Sequence, residues 1–170
     1  KNSKTMKFTE EILKQIKYVI LDADSLNSFQ NKTKKLLKYL DRNKLITPHQ
    51  AEFHRLFPAI KKSLNNKEKV LKFLKLCKSN ILLKGNTTVI GSLGKIVINK
   101  HTSSELAVIG SGDVLAGIIT SLVGDTKMSI SEAASAATWL HGDIAKRYGK
   151  GLISEDLVKG IPHALQRLKK

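Results

Sequence analysis

In Gly110-Ser111-Gly112-Asp113, two glycines flank a serine and precede a carboxylate, just where an apolar run opens. Glycine is unfavourable in a helix, so a pair at a helix start marks either a tight turn or a close approach to the backbone. The amides that follow Gly110 and Ser111 point out of the helix N-terminus, at the positive end of its dipole, and suit an anion such as phosphate. Asp113 falls in the first turn. A carboxylate there either complements the dipole or takes the proton from a hydroxyl attacking a phosphoryl group. The pattern is neither a Walker loop, which ends in Gly-Lys-Ser/Thr, nor a dinucleotide-binding fingerprint.

A second candidate is Lys84-Gly85-Asn86-Thr87-Thr88, at the end of an apolar stretch. An ammonium, hydroxyls and open amides can grip a nucleotide phosphate or ribose, or they can simply lead into a hairpin. Thr47-Pro48-His49 runs on to Glu52, which places His49 and Glu52 three residues apart on one helical face. Histidine can hydrogen-bond a ligand amide or phosphate, and glutamate can hold Mg²⁺ through water; a structural role at a helix start is the competing reading. Asp22, Asp24 and Asn27 close a short apolar run. Asp22 reads as a brace between loops, and Asp24 and Asn27 as cleft-facing groups. His141 sits mid-helix in an apolar pattern and reads as a buried, satisfied histidine near Trp139.

Alternating strands and helices are needed to position these groups. The pattern predicts a helix over 10–16 capped by Thr9, a strand over 18–21, a helix over 32–40 and a strand over 43–46. Thr47 as cap, Pro48 at the first helical position and Gln50 as the capping-box partner predict the next helix. A lysine-rich helix over 67–78 leads to strands over 81–83, 87–90 and 95–98, the last two a hairpin around 92–94. Helices follow over 113–123 and from a capping box at Ser129 and Glu132 to about Tyr148, and a last helix is capped by Ser154. This order implies an α/β fold, a mainly parallel sheet between helical layers. Ligands in such folds bind at the carboxyl ends of the strands, where the 22–24, 47–49, 84–85 and 110–113 motifs fall.

The 170 residues suit one domain, residues 1–170, with a core of its own. No apolar run approaches the roughly 20 residues of a membrane span. No signal peptide is visible in the polar first 15 residues, and the single cysteine, Cys77, excludes an internal disulfide. A reducing cytoplasm is the expected setting. The net charge of +16 permits nucleic-acid binding. But the lysines are dispersed apart from 32, 34, 35 and 38, and few aromatics are interleaved to stack on bases, so a solvated basic surface is favoured.

The ordered set LDADSLN, LITPHQAEF, ILLKGNTTVI, GSGDVLAGIITSL, AATWLHGDIA and GLISEDLVKGIPHAL resembles the ADP- or ATP-dependent NAD(P)H-hydrate dehydratases, repair enzymes of ribokinase-like fold. The similarity runs from about Tyr18 to the C-terminus. It implies that ADP or ATP, with Mg²⁺, phosphorylates the hydroxyl of hydrated NADH or NADPH, and that phosphate then leaves to restore the nicotinamide ring. On matching positions, Lys84, Gly85, Asn86, Thr87, Thr88 and Gly112 would hold the adenine nucleotide, with Gly110 and Ser111 beside them. Asp113 would contact the hydrate and act as base, and His49 would line the substrate site.

Three departures accompany the resemblance. The family has a further N-terminal half-sheet with a glycine-rich, substrate-contacting segment, where this chain has a short helical lead. It reads Pro-Gly between the histidine and glutamate, where this chain has Gln50-Ala51. Its loop before GSGD is glycine-rich with Asn-x-Gly, where this chain has HTSSELAVI. The expectation is therefore an N-terminally truncated domain that needs a separately made partner or a second copy, or is an inactive remnant. A small-molecule kinase of the same fold is the nearest alternative, and the TPH and DADSLN motifs speak against it. A non-catalytic nucleotide-binding or basic nucleic-acid-binding protein is the alternative of another class.

Overall fold

The computed structural model describes residues 2–126 and 128–168. The chain divides into two compact units, Lys1–Ile98 and Asn99–Lys170.

The first unit is built on a five-stranded sheet: β1 Val19–Leu21, β2 Lys44–Ile46, β3 Asn80–Leu83, β4 Thr88–Ser92 and β5 Lys95–Asn99, in that spatial order. β1, β2 and β3 are parallel, with Ile20 opposite Leu45 and Ile46 opposite Ile81, while β4 runs antiparallel to β3 with Leu82 opposite Ile90. Two-sided burial explains the consecutive apolar residues 45–46 of β2 and 81–83 of β3: each residue of these strands is buried, Lys44 and Asn80 included. The helices are α1 Asn2–Gln15, α2 Ala23–Asn27, α3 Thr33–Leu37, α4 Gln50–Leu56 and α5 Asn66–Leu74. Phe29, Phe53, Phe73, Leu26, Leu36, Ile46 and Ile81 form the heart of the core and are all fully buried.

Three expectations are corrected here. α1 starts at Asn2 rather than at residue 10, and Thr9 lies inside it, donating its hydroxyl to Thr5 O at 2.8 Å. Its inward stripe is Met6, Thr9, Glu10 and Leu13, a helical spacing that reaches back through the polar lead. The Asp22-to-Asn27 stretch at the end of β1 carries the short helix α2, with Asp22 as its N-cap. The helix expected over 32–40 shrinks to α3, five residues long. The cap of α4 is His49 rather than Thr47; Thr47 is buried and hydrogen-bonds Leu21 O through both its amide and its hydroxyl.

One buried cation joins these elements. Lys44 in β2 donates its ammonium to the carbonyls of Ile16 and Lys17 at 2.9 and 2.8 Å, just past the end of α1. A cation there satisfies orphan carbonyls at the negative end of the helix.

The second unit contains a 3₁₀ turn at Ser104–Leu106 and three helices that pack on one another: α6 Ser111–Asp125, α7 Ile130–Tyr148 and α8 Ser154–Leu168. The capping box expected at the start of α7 is present: Ser129 accepts from Glu132 N, and Glu132 Oε2 accepts from Ser129 N. Ser154 is the first residue of α8 rather than its cap, and Asp156 Oδ2 accepts from Ile153 N at 3.1 Å. Among the described residues, no helix is long and apolar enough to cross a membrane.

Candidate active site

In the first unit, the carboxyl ends of three parallel strands converge. Asp22 follows β1, Pro48 and His49 follow β2, and Lys84 follows β3. The Lys84 amide donates to Pro48 O at 2.9 Å, and His49 and Lys84 extend the parallel pairing by one bridge. Above that bridge, Lys84 Nζ donates to Asp22 Oδ1 at 2.8 Å, with the two side chains 23% and 15% exposed. Asp22 therefore braces the ends of β1 and β3, the two strands that flank β2, and Lys84 is its strap.

His49 caps α4 with its ring. Nδ1 accepts from the amides of Ala51 and Glu52 at 3.1 and 3.4 Å, which in the neutral ring leaves the proton on Nε2. Glu52 completes the box: Oε2 accepts from His49 N at 2.9 Å and lies 3.6 Å from His49 Nε2. The Glu52 side chain is buried while that of His49 is half exposed. The geometry thus gives Glu52 a capping task inside the fold and leaves one face of the imidazole open. Histidine serves as cap because an imidazole nitrogen, like a hydroxyl, can accept the first-turn amides.

Asp24 is exposed in the first turn of α2, and Asn27 is half-buried, its Oδ1 accepting from Arg55 Nη2 at 3.2 Å. Gly85 and Asn86 are exposed at the β3–β4 turn, Thr87 is half-buried, and Thr88 is buried with its hydroxyl donating to Gly85 O at 3.3 Å. Sequence reasoning missed the side chains behind this turn: Gln50, Asn66 and Lys69. Their signal was chemical type, two amides and one lysine near helix starts, without a motif to join them.

In the second unit, Gly110 is the N-cap of α6 at φ +82°, a left-handed conformation that glycine adopts without strain. A Cβ there would also lie 3.0 Å from the Ser154 hydroxyl. Ser111 N bonds Val108 O and Val114 N bonds Gly110 O, so the first-turn amides of Gly112 and Asp113 remain for a ligand. Asp113 is exposed, and its carboxylate makes no hydrogen bond or ion pair among the described residues. Ser111 is buried, with its hydroxyl 3.3 Å from Nε2 of the equally buried His141. His141 is thus the buried histidine expected, but Trp139 stacks elsewhere, on His101, with centroids 5.1 Å apart.

A charge cluster on α7 was not foreseen. Asp143, with 8% of its side chain exposed, accepts from Arg147 Nε at 2.9 Å and Arg167 Nη2 at 2.6 Å, and lies 3.4 Å from His101 Nε2. Burial pushes the Asp143 carboxyl up, but hydrogen bonds from Arg167, Arg147 and His101 outweigh it and hold the group below the usual carboxylate range. The cluster ties α8 to α7. No group of three or more His, Cys, Asp or Glu side chains suited to a metal occurs among the described residues.

The family model described as NAD(P)H-hydrate dehydratase matches residues 1–163, and the chain belongs to that family. An ADP-dependent (S)-NAD(P)H-hydrate dehydratase of Neisseria meningitidis is 37% identical over 76% of this chain and 45% of its own. A ribokinase-like superfamily protein of Enterococcus faecalis superposes with a TM-score of 0.83 at 23% identity, covering 95% of this chain and 58% of its own. An ADP/ATP-dependent NAD(P)H-hydrate dehydratase of Bacillus subtilis, co-crystallised with ATP and Mg²⁺ and soaked with CoA, superposes with a TM-score of 0.75 at 22% identity, covering 96% and 62%. The fold is therefore ribokinase-like, of the three-layer α/β/α class. The chain spans between about a quarter and a half of the length of the curated relatives it matches.

Proposed function

We propose that this chain works in the nucleotide-dependent repair of hydrated NADH and NADPH, with ADP or ATP as phosphoryl donor. Family membership supports the reaction class. The observation that carries the chemistry is Asp113: an exposed, unpaired carboxylate in the first turn of α6, beside the open amides of Gly112 and Asp113.

In this reading the amides at the start of α6, with Gly110 and Ser111 shaping the turn, hold the phosphoryl group under transfer by hydrogen bonds and by the helix dipole. Asp113 takes the proton from the hydrate's hydroxyl as its oxygen attacks the terminal phosphorus of the nucleotide. The bond from phosphorus to the nucleotide's bridging oxygen breaks, giving a phosphate ester. Phosphate then leaves with the carbon–oxygen bond, a proton departs from the neighbouring ring carbon, and the ring double bond returns. Lys84 and residues 85–88 hold the nucleotide, while His49 offers a ring nitrogen to the hydrate, with Asp24 and Asn27 nearby on α2.

Among the described residues the donor set forms no protein cage for Mg²⁺, and Glu52 is committed to its cap. Magnesium that keeps its waters and binds nucleotide phosphates needs no such cage. Its chemistry when bound is charge neutralisation on the phosphates.

The test is recovery of reduced-nicotinamide absorbance on incubating the chain with NADH hydrate, Mg²⁺ and ADP or ATP. Wild-type chain recovers it only with nucleotide. Asp113→Asn binds nucleotide with wild-type affinity but gives no recovery. Equal loss of binding and turnover in that variant would remove Asp113 from the role of base. Any second copy or partner that completes the site is read from the same assay, as activity that rises with chain concentration or on adding the partner.

A further inference from the structure

Gln50 is the first residue of α4, and the catalytic reading leaves it without a task. We propose that Gln50, Asn66 and Lys69 are positioning residues that hold the 84–88 loop in the shape that receives a nucleotide. The inference rests on reading that loop as part of the nucleotide site.

The ladder between β3 and β4 ends at the pair Leu83 and Val89, so the loop carbonyls lie past its last rung. Side chains take them instead. Gln50 Nε2 donates to Lys84 O at 3.3 Å, and Asn66 Nδ2 donates to Thr87 O at 2.8 Å. The two amides are joined, since Gln50 Nε2 also donates to Asn66 Oδ1 at 2.9 Å. Lys69 orients the whole chain: its ammonium donates to Gln50 Oε1 at 2.9 Å, which turns the Gln50 nitrogen toward the loop.

Each link fixes the next. With its oxygen on Lys69, the Gln50 amide presents only donors to Asn66 and Lys84. With its own oxygen on Gln50, the Asn66 amide presents its nitrogen to Thr87. Lys69 is buried, with 6% of its surface exposed, and forms no ion pair among the described residues. A buried ammonium that donates to an amide makes a charge-assisted bond, and linked bonds polarise one another. Gly85 packs over the junction: a Cβ there would lie 3.0 Å from Asn66 Nδ2 and 3.6 Å from Gln50 Nε2. The loop backbone thus rests on the amide pair itself, with Gly85 exposed on its outer face.

Gln50 and Asn66 each begin a helix, α4 and α5, so replacing them leaves the helix interiors intact.

The experiment measures amide hydrogen exchange over 84–88 and calorimetric affinity for ADP and ATP, on the full chain. The variants are Gln50→Met, Asn66→Ala, Lys69→Met, Gln50→Glu and the double variant Gln50→Met/Asn66→Ala. Each single variant is expected to speed exchange at 84–88 by about fivefold and to weaken nucleotide binding by a similar factor. The double variant adds little, because a chain broken at one link is already slack. Gln50→Glu is the discriminating case. Glutamate in the first turn favours the helix and still accepts from Lys69, yet it turns a second oxygen on Lys84 O. The proposal requires an open loop in a chain whose melting temperature is undiminished.

Wild-type exchange at 84–88 in both Gln50→Glu and Asn66→Ala would overturn it, as would loosening spread evenly over the unit. If wild-type chain binds neither ADP nor ATP, the function proposed above fails. The exchange measurements then still decide whether these three side chains order the loop.

Discussion

Lys84 has one task in this structure and a second in the proposed function, and a pair of substitutions separates them. It straps Asp22 at 2.8 Å, and in the functional reading it grips a nucleotide phosphate. The gross attraction of two unit charges at that distance is about 6 kcal/mol at an effective dielectric of about 20. Desolvation offsets most of it, since the side chains are only 23% and 15% exposed, and a charged hydrogen bond of this kind contributes about 1–3 kcal/mol net. For a chain this size the loss lowers the melting temperature by about 3–10 °C. Lys84→Met and Asp22→Asn should both show a drop of that order in thermal denaturation.

Their effects on nucleotide binding should part. Lys84→Met removes a cation from the phosphates and weakens ADP or ATP binding about tenfold or more, which corresponds to about 1.5–3 kcal/mol for a charged hydrogen bond. Asp22→Asn releases the ammonium and removes a negative charge from its side, so affinity holds or tightens although the fold is weaker. Calorimetric titration of both variants decides. If Asp22→Asn weakens nucleotide binding as much as Lys84→Met, Lys84 acts only through the strap, and its place in the nucleotide site falls.

The other expectations concern the caps and the cluster on α7. His49→Asn keeps a first-turn acceptor and should leave stability within about 0.5 kcal/mol, while His49→Ala loses about 1 kcal/mol of capping; both should raise KM for the hydrate, and an unchanged KM would reduce His49 to a cap. Glu52→Gln retains an oxygen for His49 N, so the Mg²⁺ concentration for half-maximal rate should not move; a clear shift would restore a metal role to Glu52. Asp143→Asn should cost about 2 kcal/mol at neutral pH, from weakened bonds to Arg147 and Arg167. Because the folded Asp143 carboxyl lies below its unfolded value of about 3.9, its contribution is complete above that pH and disappears as acid carries the pH down through the folded value. Urea denaturation at pH 7 and pH 3 should show the gap between wild type and Asp143→Asn closing in acid, and a constant gap would contradict the assigned cause.

Most of the architecture was legible because it rests on local signals. Consecutive Ile and Leu residues at 45–46 and 81–83 mark β2 and β3 since both faces are covered, and Ser129-x-x-Glu132 marks the start of α7 because the reciprocal bonds need only four residues. The errors arose where a second rule was available and weaker. Thr9 suits a cap, but Met6 and Leu13 bury one face of a helix that runs through it, and burial of that stripe outweighs a cap preference. Thr47 suits a cap too, but its hydroxyl is taken by Leu21 O across the sheet, so the cap passes to His49, whose ring reaches the amides of Ala51 and Glu52.

The candidate site was legible only in its motifs. Gly110 to Asp113 and Lys84 to Thr88 announce themselves because glycine, lysine and acid are unusual where an apolar segment begins or ends. The groups behind them do not. Gln50, Asn66 and Lys69 come from two different helices, and no spacing in the sequence links residue 50 to residue 66. Asp143, His101 and Arg167 are similarly scattered, and only Arg147, four residues on, carries a helical signal. Burial gives such residues their worth. An exposed Lys69 would donate to water, whereas the buried one must find an oxygen, and Gln50 is the one it finds. Lys69, Gln50 and Asn66 then run as one chain of hydrogen bonds from the buried ammonium to the carbonyls of Lys84 and Thr87.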